Sequence, residues 1–132
     1  MKVVINRCYG GFGLSAKACK LYAEYKGLPC YFCICDSLHK LVFVDDPEDL
    51  KEKNLWYACT TKEDNANSLI KDQYSTAFRT DPDLIKVVEE LKEKSYGRHA
   101  SLHIVEVPDD IEIIIDEYDG MEQVAESHRV WY

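Results

Sequence analysis

Apolar positions along this chain recur in two rhythms, one alternating and one helical, and the changes between them mark out its elements. The run Val3-Val4-Ile5 predicts a strand ending at Asn6. After Gly10-Gly11-Phe12-Gly13, the apolar positions Ala18, Cys19, Tyr22 and Ala23 follow helical spacing. Ser15 is placed to cap that helix, Gly27 to end it and Pro29 to stop any continuation. Residues 30–35 (CYFCIC) predict a buried strand, and Leu41–Val44 its hairpin partner. Residues 45–53 are acidic and turn-like, with a short helix opening at Pro47. Residues 56–60 predict another strand, and residues 69–78 a strand or an irregular helix.

The second half is more strongly patterned. Asp81 is the N-cap and Pro82 the first residue of a helix whose apolar face is Leu84, Ile85, Val87, Val88 and Leu91. Tyr96-Gly97 ends it. Residues 102–107 predict a strand, and Pro108-Asp109-Asp110 a turn. In the next strand, residues 111–118, Ile111, Ile113 and Ile115 share one face. Asp119-Gly120 is read as a turn into a short C-terminal helix over residues 121–128. No repeat, low-complexity tract or linker interrupts the 132 residues. The expected fold is one α/β (α+β) domain, a mixed or largely antiparallel sheet of about five or six strands with helices packed on it.

Composition narrows the functional classes. Apolar content of 46% with 30% charged residues is ordinary for a globular protein. A net charge of −8 argues against a nucleic-acid polymer as partner, because its phosphates would be repelled. No apolar run has the length of a membrane span, and the start lacks the pattern of a signal peptide. A cytoplasmic setting is therefore expected, with the six cysteines as reduced thiols.

Candidate chemistry concentrates at the first glycines. Strand, glycine loop, cap and helix in that order predict an anion-binding corner of free N–H groups. Gly11-Phe12-Gly13-Leu14-Ser15-Ala16 even matches the dinucleotide fingerprint G-x-G-x-x-G/A, with Asp36 in place of the ribose-binding acid. The loop is too long after Ile5, however, and a hairpin follows Cys35 where a crossover helix would be needed. What remains is a general cradle for phosphate or carboxylate. Its candidate ligand-binding residues are Asn6, Arg7, Tyr9, Gly11, Gly13 and Ser15. Arg7 would pair with phosphate, the glycines would allow close approach, and Tyr9 or Phe12 would stack on a base. The plain alternative is a glycine turn with Tyr9 and Phe12 packed. Near the C-terminus, Arg129 and Trp131 are candidates to close the pocket, or to pack on a neighbouring subunit.

Other polar groups give less. Alternation puts Cys33 and Cys35 on one strand face and Cys30 on the other, poor geometry for a shared metal ion. Buried thiols acting as small apolar groups are the expected account. His39, His99, His103 and His128 are scattered, and Ser15 is not in a G-x-S-x-G elbow. Asp116, Glu117 and Asp119 read as a solvated strand end, without the ligand ladder of an EF-hand. Neither a cofactor nor a metal is called for.

Five stretches carry a resemblance: MKVVINRCYGGFGLS at the start, then RTDPDLIKVVEEL, ASLHIVEVP, DEYDG and VAESHRVW. In these the chain resembles a family of small uncharacterised proteins of bacteriophages and prophages. They cover somewhat over half of the chain and leave out residues 28–78. The resemblance implies a viral accessory protein acting inside a bacterium, where such proteins modulate host processes or antiviral defence. The leading expectation is a non-enzymatic protein that binds a small anionic ligand, a nucleotide above all, and so sequesters a host signalling nucleotide. A homo-oligomer is expected if the pocket is completed between subunits. The alternatives are an acidic protein-binding modulator of a host factor, and a hydrolase or transferase acting on a phosphorylated substrate.

Overall fold

The computed structural model describes residues 1–35, 38, 40–49, 55–62 and 67–127. Among them the elements run β1 (Lys2–Asn6), α1 (Ala16–Lys26), β2 (Tyr31–Cys35), β3 (Leu41–Val44), β4 (Trp56–Cys59), α2 (Thr76–Arg79), α3 (Pro82–Leu91), β5 (Leu102–Glu106), β6 (Ile113–Tyr118) and β7 (Met121–Glu126). Short 3-10 turns occupy Pro47–Asp49 and Lys92–Ser95. This is an α+β fold in which every strand pairing is antiparallel. The strands are distributed over two ribbons, β1–β5 and β6–β7, and a three-stranded sheet in the order β3-β2-β4. The chain divides into two compact units, one of Met1–Ser15 with Asp72–Tyr132, the other Ala16–Lys71. No helix among the described residues is long and apolar enough to cross a membrane.

In the first unit β1 is buried on both faces, which is why its apolar run needs no polar alternation. Val3 and Ile5 form a core cluster with Ile113, and Val105, Ile115 and Val124 pack around it. Alternation turns Val4 and Asn6 the other way, and α2 and α3 also pack on β1. α3 begins as its sequence predicts. The Asp81 carboxylate accepts from the Asp83 N–H at 2.9 Å, and Pro82 takes the first position, where its missing N–H costs nothing. Leu84, Ile85, Val87 and Val88 are the buried stripe, each contributing roughly 1.5–3 kcal/mol by burial. Over residues 69–78 the helical alternative holds only at the end, where Ser75 caps α2 by accepting from the Phe78 N–H at 3.1 Å.

The expected C-terminal helix is instead a strand. Asp119 and Gly120 have φ of 51° and 89°, and they alone separate the paired residues Tyr118 and Met121. Two left-handed residues make a type I′ turn, whose twist matches that of the strands it joins. Space requires the glycine as well: a Cβ on Gly120 would lie 2.5 Å from the Gly11 nitrogen. Met-Glu-Gln-Val-Ala-Glu favours helix by propensity alone. The turn overrides it. His128, the expected end of that helix, lies outside the described residues.

In the second unit α1 buries Ala18, Cys19, Tyr22 and Ala23. It closes with the Gly27 N–H on the Glu24 carbonyl and the Leu28 N–H on that of Ala23, at 3.1 and 2.9 Å. β2 is the central strand of its sheet, with Cys33 opposite Phe43 on one side and Tyr57 on the other. Phe32 meets Trp56 edge-to-face at 5.4 Å.

Candidate functional site

The glycine corner lies in the first unit, and Asn6 fixes its start. Asn6 is fully buried. Its Nδ2 donates to the Cys8 and Gly120 carbonyls at 2.6 and 2.7 Å, and its Oδ1 accepts from the Ser101 N–H at 2.9 Å. Both amide hydrogens and one lone pair are thereby engaged by separate chain segments. Asn6 ties the corner together.

Ser15 and Gly13 are engaged in the same way. The Ser15 hydroxyl donates to the Lys94 carbonyl at 2.6 Å, and its N–H to that of Ser95 at 2.9 Å. Gly13 accepts the Gly97 N–H at 2.8 Å. A Cβ on Gly97 would fall 2.6 Å from the Gly13 carbonyl carbon, so here two backbones touch where no side chain fits. At the first turn of α1, in the second unit, the Ala16 N–H donates to Glu48 Oε1 at 2.8 Å. A carboxylate of the protein itself stands where the sequence reading places a ligand anion.

What faces solvent is the crest of the loop. Tyr9 is 63% exposed, and Gly11 has a φ of 93°. The Tyr9 and Gly10 N–H groups have no hydrogen-bond partner among the described residues. Arg7 is exposed and donates one guanidinium N–H to the Glu122 carbonyl at 2.7 Å. Gly10 abuts His99, whose Cβ lies 2.1 Å from where a Cβ on Gly10 would be, and Arg98 precedes that histidine on an exposed turn. Tyr118, 80% exposed, stands two residues before Gly120, which backs onto the Tyr9 carbonyl. The backbone thus sets His99 against Gly10 and Gly120 against Tyr9 and Gly11, with Arg7, Arg98 and Tyr118 exposed nearby in sequence. Arg129 and Trp131 lie outside the described residues, as do Asp36, His39 and His128.

Beneath the crest is a pair that no sequence pattern announced. Arg79 and Glu122 are 0% and 1% exposed and meet through two parallel bonds, Nη1 to Oε1 at 2.6 Å and Nη2 to Oε2 at 2.8 Å. Arg79 also donates to the Gln73 carbonyl at 2.6 Å and the Val4 carbonyl at 3.1 Å. Glu122 Oε1 accepts the Asn6 N–H at 2.8 Å. The Phe12 ring lies 3.6 Å from the guanidinium carbon and meets Phe78 edge-on. Phe12 is therefore packed, while Tyr9 alone of the two keeps a free ring face. The pair props up the loop from inside: four of the five guanidinium N–H groups are engaged within the protein and the group is 0% exposed.

The remaining chemistry is quiet. Cys33 and Cys59 are buried with their sulfurs 3.4 Å apart. Burial, and then the hydrogen bond that the protonated Cys33 makes to Cys59, pushes the Cys33 thiol up to about 12. Burial pushes the Cys19 thiol up further, with smaller contributions from Cys30 and Glu48. Such thiols stay protonated and pack as apolar groups. All six cysteines are free, and among the described residues no group of three or more His, Cys, Asp and Glu is placed to hold a metal. His103 Nε2 is 3.4 Å from the Ser101 hydroxyl, long for a hydrogen bond. Glu117 is engaged by the Gly120 N–H at 2.6 Å. No protein-family model matches this chain, and no curated protein or solved structure is significantly similar to it.

Proposed function

We propose that this protein binds a small anionic ligand, a nucleotide in the first place, at the exposed crest of the glycine corner. The carrying observation is an exposed Tyr9 ring whose own N–H and that of Gly10 are unpartnered among the described residues, with His99 against Gly10 and the exposed Arg7 and Arg98 next to these residues in sequence. Successive free N–H groups on a turn form an anion-binding concavity. A guanidinium adds a planar phosphate donor, and a free tyrosine face stacks on any base. Asn6, Gly13 and Ser15 then act on the ligand only through the loop they hold in shape. In the bacteriophage setting implied by the resemblance of the two ends, such binding would sequester a host signalling nucleotide in the bacterial cytoplasm.

Thermal-shift screening against mono-, di- and cyclic nucleotides, with mass spectrometry of the recovered ligand, tests this reading. A ligand at about a hundred times its Kd adds ~2.7 kcal/mol to stability, a shift of several degrees. Intact recovery means sequestration, and a changed product means turnover. The reading fails if no nucleotide raises Tm, or if Arg7→Ala and Tyr9→Ala respond as the parent chain does.

A second reading, an acidic modulator docking on a basic host protein, draws on β6. Ile114, Asp116, Glu117 and Tyr118 are exposed there, and β6 pairs only with β7 among the described residues. Capture of one host protein, lost on Asp116→Lys with Glu117→Lys, would favour it over the nucleotide.

A further inference from the structure

The second unit contains a cavity that the glycine corner does not explain. About 230 Å³ in volume, it is lined by Lys20, Cys30, Tyr31, Phe32, Phe43, Val44, Asp45 and Lys62. Its charge is unusual for a chain with 24 acidic and 16 basic residues. Two ammonium groups and one carboxylate line it, and neither lysine has a carboxylate partner among the described residues. Each rests instead on an aromatic ring of the lining, Lys20 Nζ 5.6 Å from the Phe32 centroid and Lys62 Nζ 5.1 Å from that of Tyr31. Ring contacts steer a lysine without neutralising it, so among the described residues neither charge is paired. Burial raises the Cys30 thiol, and the nearby Lys20 charge opposes that rise. Phe43 and Val44 add apolar surface to the lining.

We infer that this cavity is a binding site for a small organic anion, its phosphate or carboxylate held by Lys20 and Lys62 and its carbon skeleton against the apolar part of the lining. Size limits the ligand. Sites for drug-sized molecules run from about 300 to 1,000 Å³, so this one takes a single ring or a short chain with one anionic head. The site belongs wholly to the second unit and is independent of the nucleotide reading.

The test is an amide chemical-shift titration of the full chain with phenyl phosphate, benzoate and, as neutral control, phenol. Saturable shifts centred on residues 20, 30–32, 43–45 and 62 are expected with at least one anion and not with phenol. Phenyl phosphate binding alone assigns a phosphate ligand, benzoate binding alone a carboxylate, and binding of both the shared anionic chemistry. Lys20→Met and Lys62→Met should each weaken binding about tenfold, or ~1.4 kcal/mol, and the double variant should abolish saturation. Both lysines are exposed, so the variants should keep the parent Tm. Arg7→Ala should leave this titration unchanged while removing the nucleotide response. The inference is overturned if neither anion saturates, if phenol shifts the same resonances equally, or if the double variant binds like the parent chain.

Discussion

Replacing Glu122 by glutamine changes one heavy atom and removes one charge at a buried polar site of the first unit. The carboxylate takes three hydrogen bonds, two from Arg79 and one from the Asn6 N–H. Glutamine keeps the shape but turns one acceptor oxygen into an NH₂, which must then face a donor. The guanidinium, 0% exposed and covered by Phe12, cannot turn to water for compensation. Breaking a buried pair from one side costs about 3–5 kcal/mol, and an orphaned buried donor costs ~1–3 kcal/mol on its own. Glu122→Gln should therefore lose about 3–5 kcal/mol, a large share of the roughly 5–15 kcal/mol that keeps a domain folded. Arg79→Met alone should lose a similar amount. The double variant Arg79→Met with Glu122→Leu should lose less than the sum, since no charge is left buried. It should not return to parent stability, because the Asn6 N–H and the Val4 and Gln73 carbonyls lose partners. Urea unfolding followed by circular dichroism of the parent chain, Arg79→Met, Glu122→Leu and their double variant gives all four corners of the cycle, with Glu122→Gln measured beside them. A loss below about 1 kcal/mol for Glu122→Gln, or no coupling between the two sites, would refute the assignment of the pair as the prop of this unit.

Two further outcomes can be measured on the same footing. Gly97→Ala should cost about 1–3 kcal/mol by overpacking, because its Cβ would meet Gly13 backbone atoms at 2.6–2.9 Å, whereas Gly13→Ala meets its nearest atom at 3.7 Å and should be far milder; equal losses in urea midpoint would contradict this asymmetry. The Cys33 thiol loses its proton near 9.0 when unfolded and near about 12 when folded, so across that window the unfolded chain binds fewer protons and stability must fall as pH rises. Cys33→Ala should flatten this decline by up to about 1.4 kcal/mol per pH unit, and an unchanged slope in urea midpoint against pH would count against the buried thiol.

Where local chemistry decides the backbone, the residues could be read directly. Asp81-Pro82 opens α3 and Gly27 closes α1 at the expected positions, since caps act within one turn. The misreading at β7 is also local: Asp119-Gly120 is a hairpin signal, and it outweighed a helix-favouring composition downstream. The interior of the corner was a different matter. Arg79 and Glu122 are 43 residues apart in sequence, and Asn6 bonds to Ser101 and Gly120. No periodicity reports such contacts. The location of the corner was therefore legible from its glycines, while the division between residues that build it and residues that face solvent was not.

The placement of β1 also bears on how the chain is made. Its partner β5 begins at Leu102, and between them lies a second unit that is continuous from Ala16 to Lys71. A ribosome emits β1 well before β5, so the strand lacks that partner until the second unit has also emerged. The inserted unit can close early through its own short-range contacts, while Val3-Val4-Ile5 waits as an unpaired apolar segment. Synthesis should therefore pass through a stage in which the middle is ordered and the start is bare. That interval is where this protein is most exposed to aggregation and to chaperones.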